Sequence, residues 1–140
     1  MNPVRFMTPE DAETAFYTAF ERADLDAMMA VWADDDQVIV CVHPLGPVLA
    51  GLQAVKQSWQ QIFARSPGLK FTIARQLQAT DKGLALHVVH EHIELSGRER
   101  RRQTVIATNA YRLTATGWRM VLHHASPASA TEDAPAATLH

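Results

Sequence analysis

The sequence predicts an α+β domain with an antiparallel sheet, on three observations. Helical patterns come first and strand patterns follow. Turn signals at Asp81-Lys82-Gly83, Ser96-Gly97 and Ala115-Thr116-Gly117 separate the last strands, as hairpin connections do. The third observation concerns the faces. Val38, Val40 and Val42 oppose Ile39 and Cys41, and Leu84, Leu86 and Val88 oppose Ala85, Val89 and Ile93. A sheet with one wet face alternates apolar with polar residues, whereas these strands are apolar on both faces.

Thr8-Pro9-Glu10-Asp11 is a helix start, with a hydroxyl N-cap, proline at the first helical position and acids at the positive end of the dipole. Ala12, Ala15, Phe16, Ala19 and Phe20 then form one apolar stripe. Asp24 caps a shorter second helix that buries Leu25, Met28, Met29 and Trp32, and the acidic run Asp34-Asp35-Asp36 ends it as a solvated turn. A β-branched strand covers Gln37 to Val42; Pro44, Gly46 and Pro47 break it, and Val48-Leu49-Ala50 resumes it briefly. Gly51 precedes a third helix, Leu52 to Ala64, with Val55, Trp59, Ile62 and Phe63 on one side, and Ser66-Pro67-Gly68 stops it. Strands are expected over Lys70–Ala79, Gly83–Leu95, Arg101–Leu113 and Trp118–Ala125. The organisation is thus one domain over 1–127, and the Ala/Ser/Thr/Pro-rich tail of 128–140 reads as disordered.

The chain of 140 residues is long enough for a full core, and its net charge of -2 gives no reason to expect nucleic acid or a membrane as partner. Arg98-Glu99-Arg100-Arg101-Arg102 is a local exception and reads as a solvated hairpin end. Cys41 is the only cysteine, so no intramolecular disulfide forms. With no signal-peptide pattern and no apolar run of bilayer length, the expectation is a soluble cytoplasmic protein. Three modest helices cover one sheet face only. The other is expected to meet a second copy in a homodimer.

Polar groups able to do chemistry sit among these apolar runs. In Arg101–Leu113, Asn109 and Tyr111 alternate with Arg112, which prefers water, so both are expected to point inward. A buried Asn must pair both its amide and its carbonyl, either by donating to a ligand oxygen or by fixing neighbouring structure. In the last strand Trp118, Met120, Leu122 and His124 share a parity, which places His124 at the inner edge near a pocket mouth and turns His123 away. His124 is then a candidate general base or a structural hydrogen-bonder. His43, held extended by Pro44, either reaches the pocket or ties down the Leu45-Gly46 loop. Trp59 and Trp32 are core or pocket wall, and Cys41 is an inert small hydrophobe. His90 and His92 share one face, with His87 and Glu91 on the other. Two same-face histidines without a third ligand are a weak zinc signal, and no metal is expected. If its face is the inner one, Glu91 is the only inward carboxylate and the best candidate acid or base.

The order of helices and strands, the stretch Val42-His43-Pro44 through Gly51 to Ser58-Trp59, and the ending Thr108-Asn109-Ala110-Tyr111 to His123-His124-Ala125-Ser126-Pro127 carry a resemblance. Over Thr8 to Pro127 the chain resembles SnoaL-like domains of the nuclear transport factor 2 superfamily, in the branch related to the association domain of calmodulin-dependent kinase II. The resemblance implies a cone: a strongly curved antiparallel sheet wrapped around the helices, a cystatin-like roll with a pocket at the wide end. It also implies dimers. The acid and base of the steroid isomerases and the acid-rich triad of the epoxide hydrolases have no recognisable counterparts here.

Three functions follow. The first is a small-molecule pocket protein, its apolar cavity holding a hydrophobic or aromatic ligand against His43, Trp59, Asn109, Tyr111 and His124. The second is a proton-shuttling isomerase, dehydratase or cyclase in which His124 or Glu91 moves the proton and Asn109 or Tyr111 stabilises an oxyanion. The third is an association module without pocket chemistry. No dinucleotide or phosphate-binding glycine loop is present, so no cofactor is expected.

Overall fold

Thr8 opens the first helix as its side chain permits: Oγ1 accepts the N–H of Asp11 at 3.0 Å, and Pro9 takes the first helical position. This helix, α1, spans Pro9–Arg22 and ends where Ala23 turns left-handed. Asp24 then caps α2, Leu25–Val31, by accepting the Ala27 N–H at 3.0 Å. In chain order there follow β1 (Val40–Val42), β2 (Leu49–Ala50), α3 (Leu52–Arg65), β3 (Leu69–Asp81), β4 (Leu84–Leu95), β5 (Arg101–Thr114) and β6 (Gly117–Pro127). The computed structural model describes residues 5–34, 38–65, 69–95 and 101–129. The end of the acidic run, the Ser66-Pro67-Gly68 stop, the Ser96-Gly97 turn with most of the arginine cluster, and nearly all of the proposed tail lie outside those residues. Arg102 is described: it is exposed and paired with Glu94 at 3.4 Å.

The strands form one six-stranded sheet in the order β2-β1-β6-β5-β4-β3. It is a curved, open sheet, mostly antiparallel, and the three helices pack on one face. Two details differ from the sequence reading. The first strand covers only Val40–Val42, and it joins β6 in parallel, Val40 opposite Leu122 and Val42 opposite His124. Between β1 and β6 the chain passes through β2, α3 and the strands β3 to β5 before returning in the same direction, which a hairpin cannot do.

The inner face is read from β4, where Ala85, His87, Val89, Glu91 and Ile93 are all buried. Their apolar members pack with Phe16, Met28, Trp32, Ile39, Trp59 and Met120 in one core. Full burial of each such large side chain contributes about 1.5–3 kcal/mol. On the outer face Leu84 and Leu86 remain 50% and 39% exposed. No helix among the described residues is long and apolar enough to cross a membrane.

Two bulges re-aim side chains. In β6 the register passes from Ala110 opposite Leu122 to Tyr111 opposite Met120, so Val121 is an extra residue. In β3 it passes from Arg75 opposite Val89 to Leu77 opposite Val88, leaving Gln76 extra. One inserted residue turns every later side chain to the other face.

Candidate functional site

The β6 bulge decides the first site residue. Counting alternation from Met120 puts His124 inside; with Val121 bulged, His123 is buried at 1% exposure and His124 is exposed. The expectation for these two histidines is therefore reversed. The sequence gives no turn or glycine to flag the bulge, so strict alternation fails there.

Asn109 and Tyr111 do point inward, both fully buried. They meet a group the sequence reading passed over. Glu13, one turn before Tyr17 on α1, lies 1% exposed at the centre of a polar network. Its Oε1 accepts the Arg75 Nε–H at 2.7 Å. Its Oε2 accepts from Tyr111 OH at 2.9 Å and Asn109 Nδ2 at 3.2 Å, and faces His87 Nδ1 at 3.0 Å. Burial alone pushes the Glu13 carboxyl up, but the bonds from Arg75, His87 and Asn109 outweigh it and hold the group below its usual range. Glu91 is thus not the only inward carboxylate.

A second carboxylate sits beside the first in a different state. Glu91 accepts the Tyr17 hydroxyl at 2.6 Å, and its Oε2 lies 3.9 Å from His123 Nε2. Burial pushes it up to about 7; the Tyr17 bond works against that and the Glu13 charge adds to it. Asn109 joins the halves, donating Nδ2 to both Glu13 and the Tyr17 oxygen at 3.0 Å while its Oδ1 lies 2.6 Å from His123 Nδ1. Burial, reinforced by the neighbouring His43 and His124 rings, drives His123 down to about 3 and keeps the ring neutral. Burial, with the Glu91 and Glu13 charges, raises both tyrosines well above their ordinary value. The result is a buried cluster with one carboxyl poised near neutrality, in which His87 Nε2 lies 3.2 Å from Glu10 Oε2 without a hydrogen bond.

The other predicted site residues do not reach this network directly. His43 faces Ser58 of α3, with Nε2 3.0 Å from Oγ. Ser58 donates its own proton to the Val55 carbonyl at 2.7 Å, so His43 is the donor in that pair. It ties β1 to α3. Trp59 is fully buried among Phe16, Phe20, Phe63 and the rings of His43 and His123. Cys41 is buried beside them, its thiol pushed up to about 12 by burial and the Glu91 charge. His90 and His92 lie on the outer face with rings 5.8 Å apart, and His92 faces the Thr104 hydroxyl at 3.1 Å. No group of three or more potential metal ligands occurs among the described residues.

The network lines a surface groove. A groove of about 460 Å³ lies between α1 and β3, and Glu13, Tyr17, Glu21, Phe71, Ile73 and Arg75 are among its walls. Arg75 commits Nε to Glu13 and keeps 36% of its side chain exposed there. A second depression of about 510 Å³ between α1 and α2 is floored by Ala15, Ala19, Ala27 and Ala30 and meets none of the network. Trp32, Trp59 and Met120 are buried in the interior, at most 2% exposed. None of His43, Trp59, Asn109, Tyr111 and His124 is among the walls of the α1–β3 groove, whereas Glu13 and Tyr17 are.

A family model of the SnoaL-like domain matches residues 10–130. The chain belongs to the SnoaL-like family. Its fold agrees with solved structures of similar chains. One is a candidate calcium/calmodulin-dependent protein kinase type II association domain from Thiobacillus denitrificans, 42% identical, covering 90% of this chain and 99% of that one at a TM-score of 0.83. Another is a candidate dehydratase of the nuclear transport factor 2-like family from Streptomyces avermitilis, 35% identical over 85% of this chain and 92% of that one, TM-score 0.79. The F-box protein SKIP8 of Arabidopsis thaliana is 27% identical over 113 residues, 81% of this chain. That match covers 46% of the plant protein, so the SnoaL-like chain spans less than half of its relative.

Proposed function

We propose that this SnoaL-like protein binds a small molecule in the α1–β3 groove. The observation that carries the reading is that Glu13, Tyr17 and Arg75 are shared between the buried network and the groove wall. A binding site needs a concave surface and a few convergent polar groups held rigidly. The network supplies the rigidity: Arg75 is aimed by Glu13, and Tyr17 by Asn109 and Glu91. Phe71 and Ile73 offer an apolar wall, which suits a ligand with a hydrophobic or aromatic body and one polar end. The test is a fragment screen read by protein NMR. Hits should shift Tyr17 and Arg75 resonances and be lost in Arg75→Gln. Hits that map elsewhere, or that are indifferent to that substitution, contradict the reading.

One observation favours proton transfer as a second reading. Glu91, at about 7, is bonded to Tyr17, and Tyr17 lines the groove. A general acid or base works best near the operating pH. Here Glu91 takes the role proposed from the sequence, and Tyr17 is its route to a ligand. Deuterium incorporation into a bound carbonyl compound, abolished in Glu91→Gln with binding intact, supports catalysis. Binding without exchange leaves the protein a binder. A homodimer through the outer sheet face fits either reading, because Leu84 and Leu86 would otherwise stay in water. The dimer would be a scaffold, with each groove on the opposite side of its sheet.

A further inference from the structure

Glu10 and Glu13 lie three residues apart on α1, so their side chains leave the same face of the helix. His87 of β4 stands between them, its side chain fully buried. Nδ1 of the ring lies 3.0 Å from Glu13 Oε2, and Nε2 lies 3.2 Å from Glu10 Oε2. Glu13 is ionised and only accepts, so Nδ1 carries a proton. Nε2 and Glu10 Oε2 are left facing each other. Both atoms are buried, and among the described residues neither has a hydrogen-bond partner. Their separation leaves no room for a water between them. Two bare lone pairs at that distance repel, and each buried atom has forfeited the bonds it made in water. One proton between them removes both costs.

We propose that Glu10 and His87 share a proton and so form a proton-dependent clasp between the first turn of α1 and the sheet. The charges around the ring favour it. Two carboxylates, Glu10 and Glu13, face His87 from α1, and Arg75 of β3 answers only Glu13. From β5 come Tyr111, its ring centre 5.3 Å from the imidazole, and Asn109, opposite His87 in the ladder; neither is charged. Gln78 of β3 lies opposite His87 on the other side, and Glu91 shares the inner face of β4. With the shared proton the charges of Glu10, Glu13, His87 and Arg75 balance; without it one negative charge is left over beside a buried ring. The Glu10 side chain is 36% exposed, which gives the proton a route to water. Its loss sets Glu10 against His87 and frees the turn just ahead of Glu13 and Thr14 in the groove wall. The clasp needs no ligand and stands whether or not the groove binds one.

The experiment follows the Asp11 and Ala12 amides of the full chain by NMR hydrogen exchange between about pH 5 and 8, as protection factors. Both N–H groups bond to Thr8, in the turn that holds Glu10. Protection in the wild type should fall about tenfold or more in one step as pH rises. The His87 ¹⁵Nε2 and Glu10 ¹³Cδ shifts should move at that same step. Glu91 and His123 act on global unfolding, whereas these amides report local opening of the turn. Glu10→Gln offers Nε2 an amide N–H in place of a titrating proton, so protection should stay high at every pH. Glu10→Ala should give low protection at every pH. Both variants change a partly exposed residue at a helix end, so the fold tolerates them. The proposal is overturned if Glu10 and His87 titrate in separate steps, if wild-type protection shows no step, or if the step survives in Glu10→Gln.

Discussion

The Asn109 carbonyl oxygen lies 2.6 Å from Nδ1 of His123, and that contact fixes which ring nitrogen carries the proton. The Asn109 amide must face Glu13, because an ionised carboxylate only accepts. Its Oδ1 is therefore turned to His123, which donates from Nδ1. Nε2 is left as a lone pair facing Glu91 at 3.9 Å. We expect the His123 ¹⁵N shifts to report an Nδ1–H tautomer in the wild type and a mixture of tautomers in Asn109→Leu. An Nε2–H tautomer in the wild type contradicts the network as drawn.

Two groups predict opposing pH dependences. Glu91 is raised from 4.5 to about 7, so the native state holds its proton more tightly; the stability this contributes is full below pH 4.5 and is lost as pH rises to 7. His123 is lowered from 6.5 to about 3, so its contribution is full above 6.5 and is lost as pH falls towards 3. A tenfold change in a group's proton affinity on folding is worth about 1.4 kcal/mol. Stability should be nearly flat between pH 4.5 and 6.5, where the two cancel, and fall below 4.5. In Glu91→Gln the compensation is gone, so chemical denaturation should show stability rising with pH from 4.5 to 6.5, with the loss below 4.5 retained.

Removing the central acceptor should cost more than removing any one donor. Glu13→Ala leaves Tyr111 and His87 buried without the acceptor they face, and Asn109 Nδ2 with the Tyr17 oxygen alone. Breaking a buried charge network from one side costs about 3–5 kcal/mol, reduced here because Arg75 is partly solvated. Tyr17→Phe should cost about 1–3 kcal/mol. Urea midpoints at constant m-value measure both, and equal losses would remove Glu13 from the centre of the account.

Gly117 carries a backbone prediction. Its φ is +101°, and an added Cβ would lie 2.7 Å from the Phe6 carbonyl oxygen, so both conformation and space exclude a side chain. Trp118 donates its N–H to that same oxygen at 2.9 Å, so the amino-terminal segment cannot retreat freely. We expect Gly117→Ala to lower stability by more than about 1 kcal/mol in thermal unfolding.

The outer face predicts self-association. Sedimentation should give a dimer at micromolar concentration, and Leu86→Glu a monomer, since Leu86 is exposed in the single chain and needs no partner there. A monomeric wild type contradicts the dimer.

Most of the fold was legible because its signals are local. Thr8 and Asp24 cap the helices they were expected to cap, and turn residues divide the strands. The inward direction of Asn109 and Tyr111 followed from the water preference of Arg112. The site was only partly legible, for two reasons. A bulge at Val121 has no sequence mark, and it exchanged His123 for His124. Glu13 and Tyr17 lie beside, not in, the apolar stripe of α1, so periodicity hid them. One usable signal was present: His87 and Glu91 share parity with Ala85, Val89 and Ile93, which identifies the inner face of β4. Arg75 likewise shares parity with Phe71 and Ile73.

The most direct test of the central claim is a crystal structure with the strongest fragment hit bound. Ligand density is expected in the α1–β3 groove, within hydrogen-bond reach of Arg75 and packed against the Tyr17 ring, Phe71 or Ile73. Density confined to the depression between α1 and α2, or to the outer sheet face, contradicts the claim.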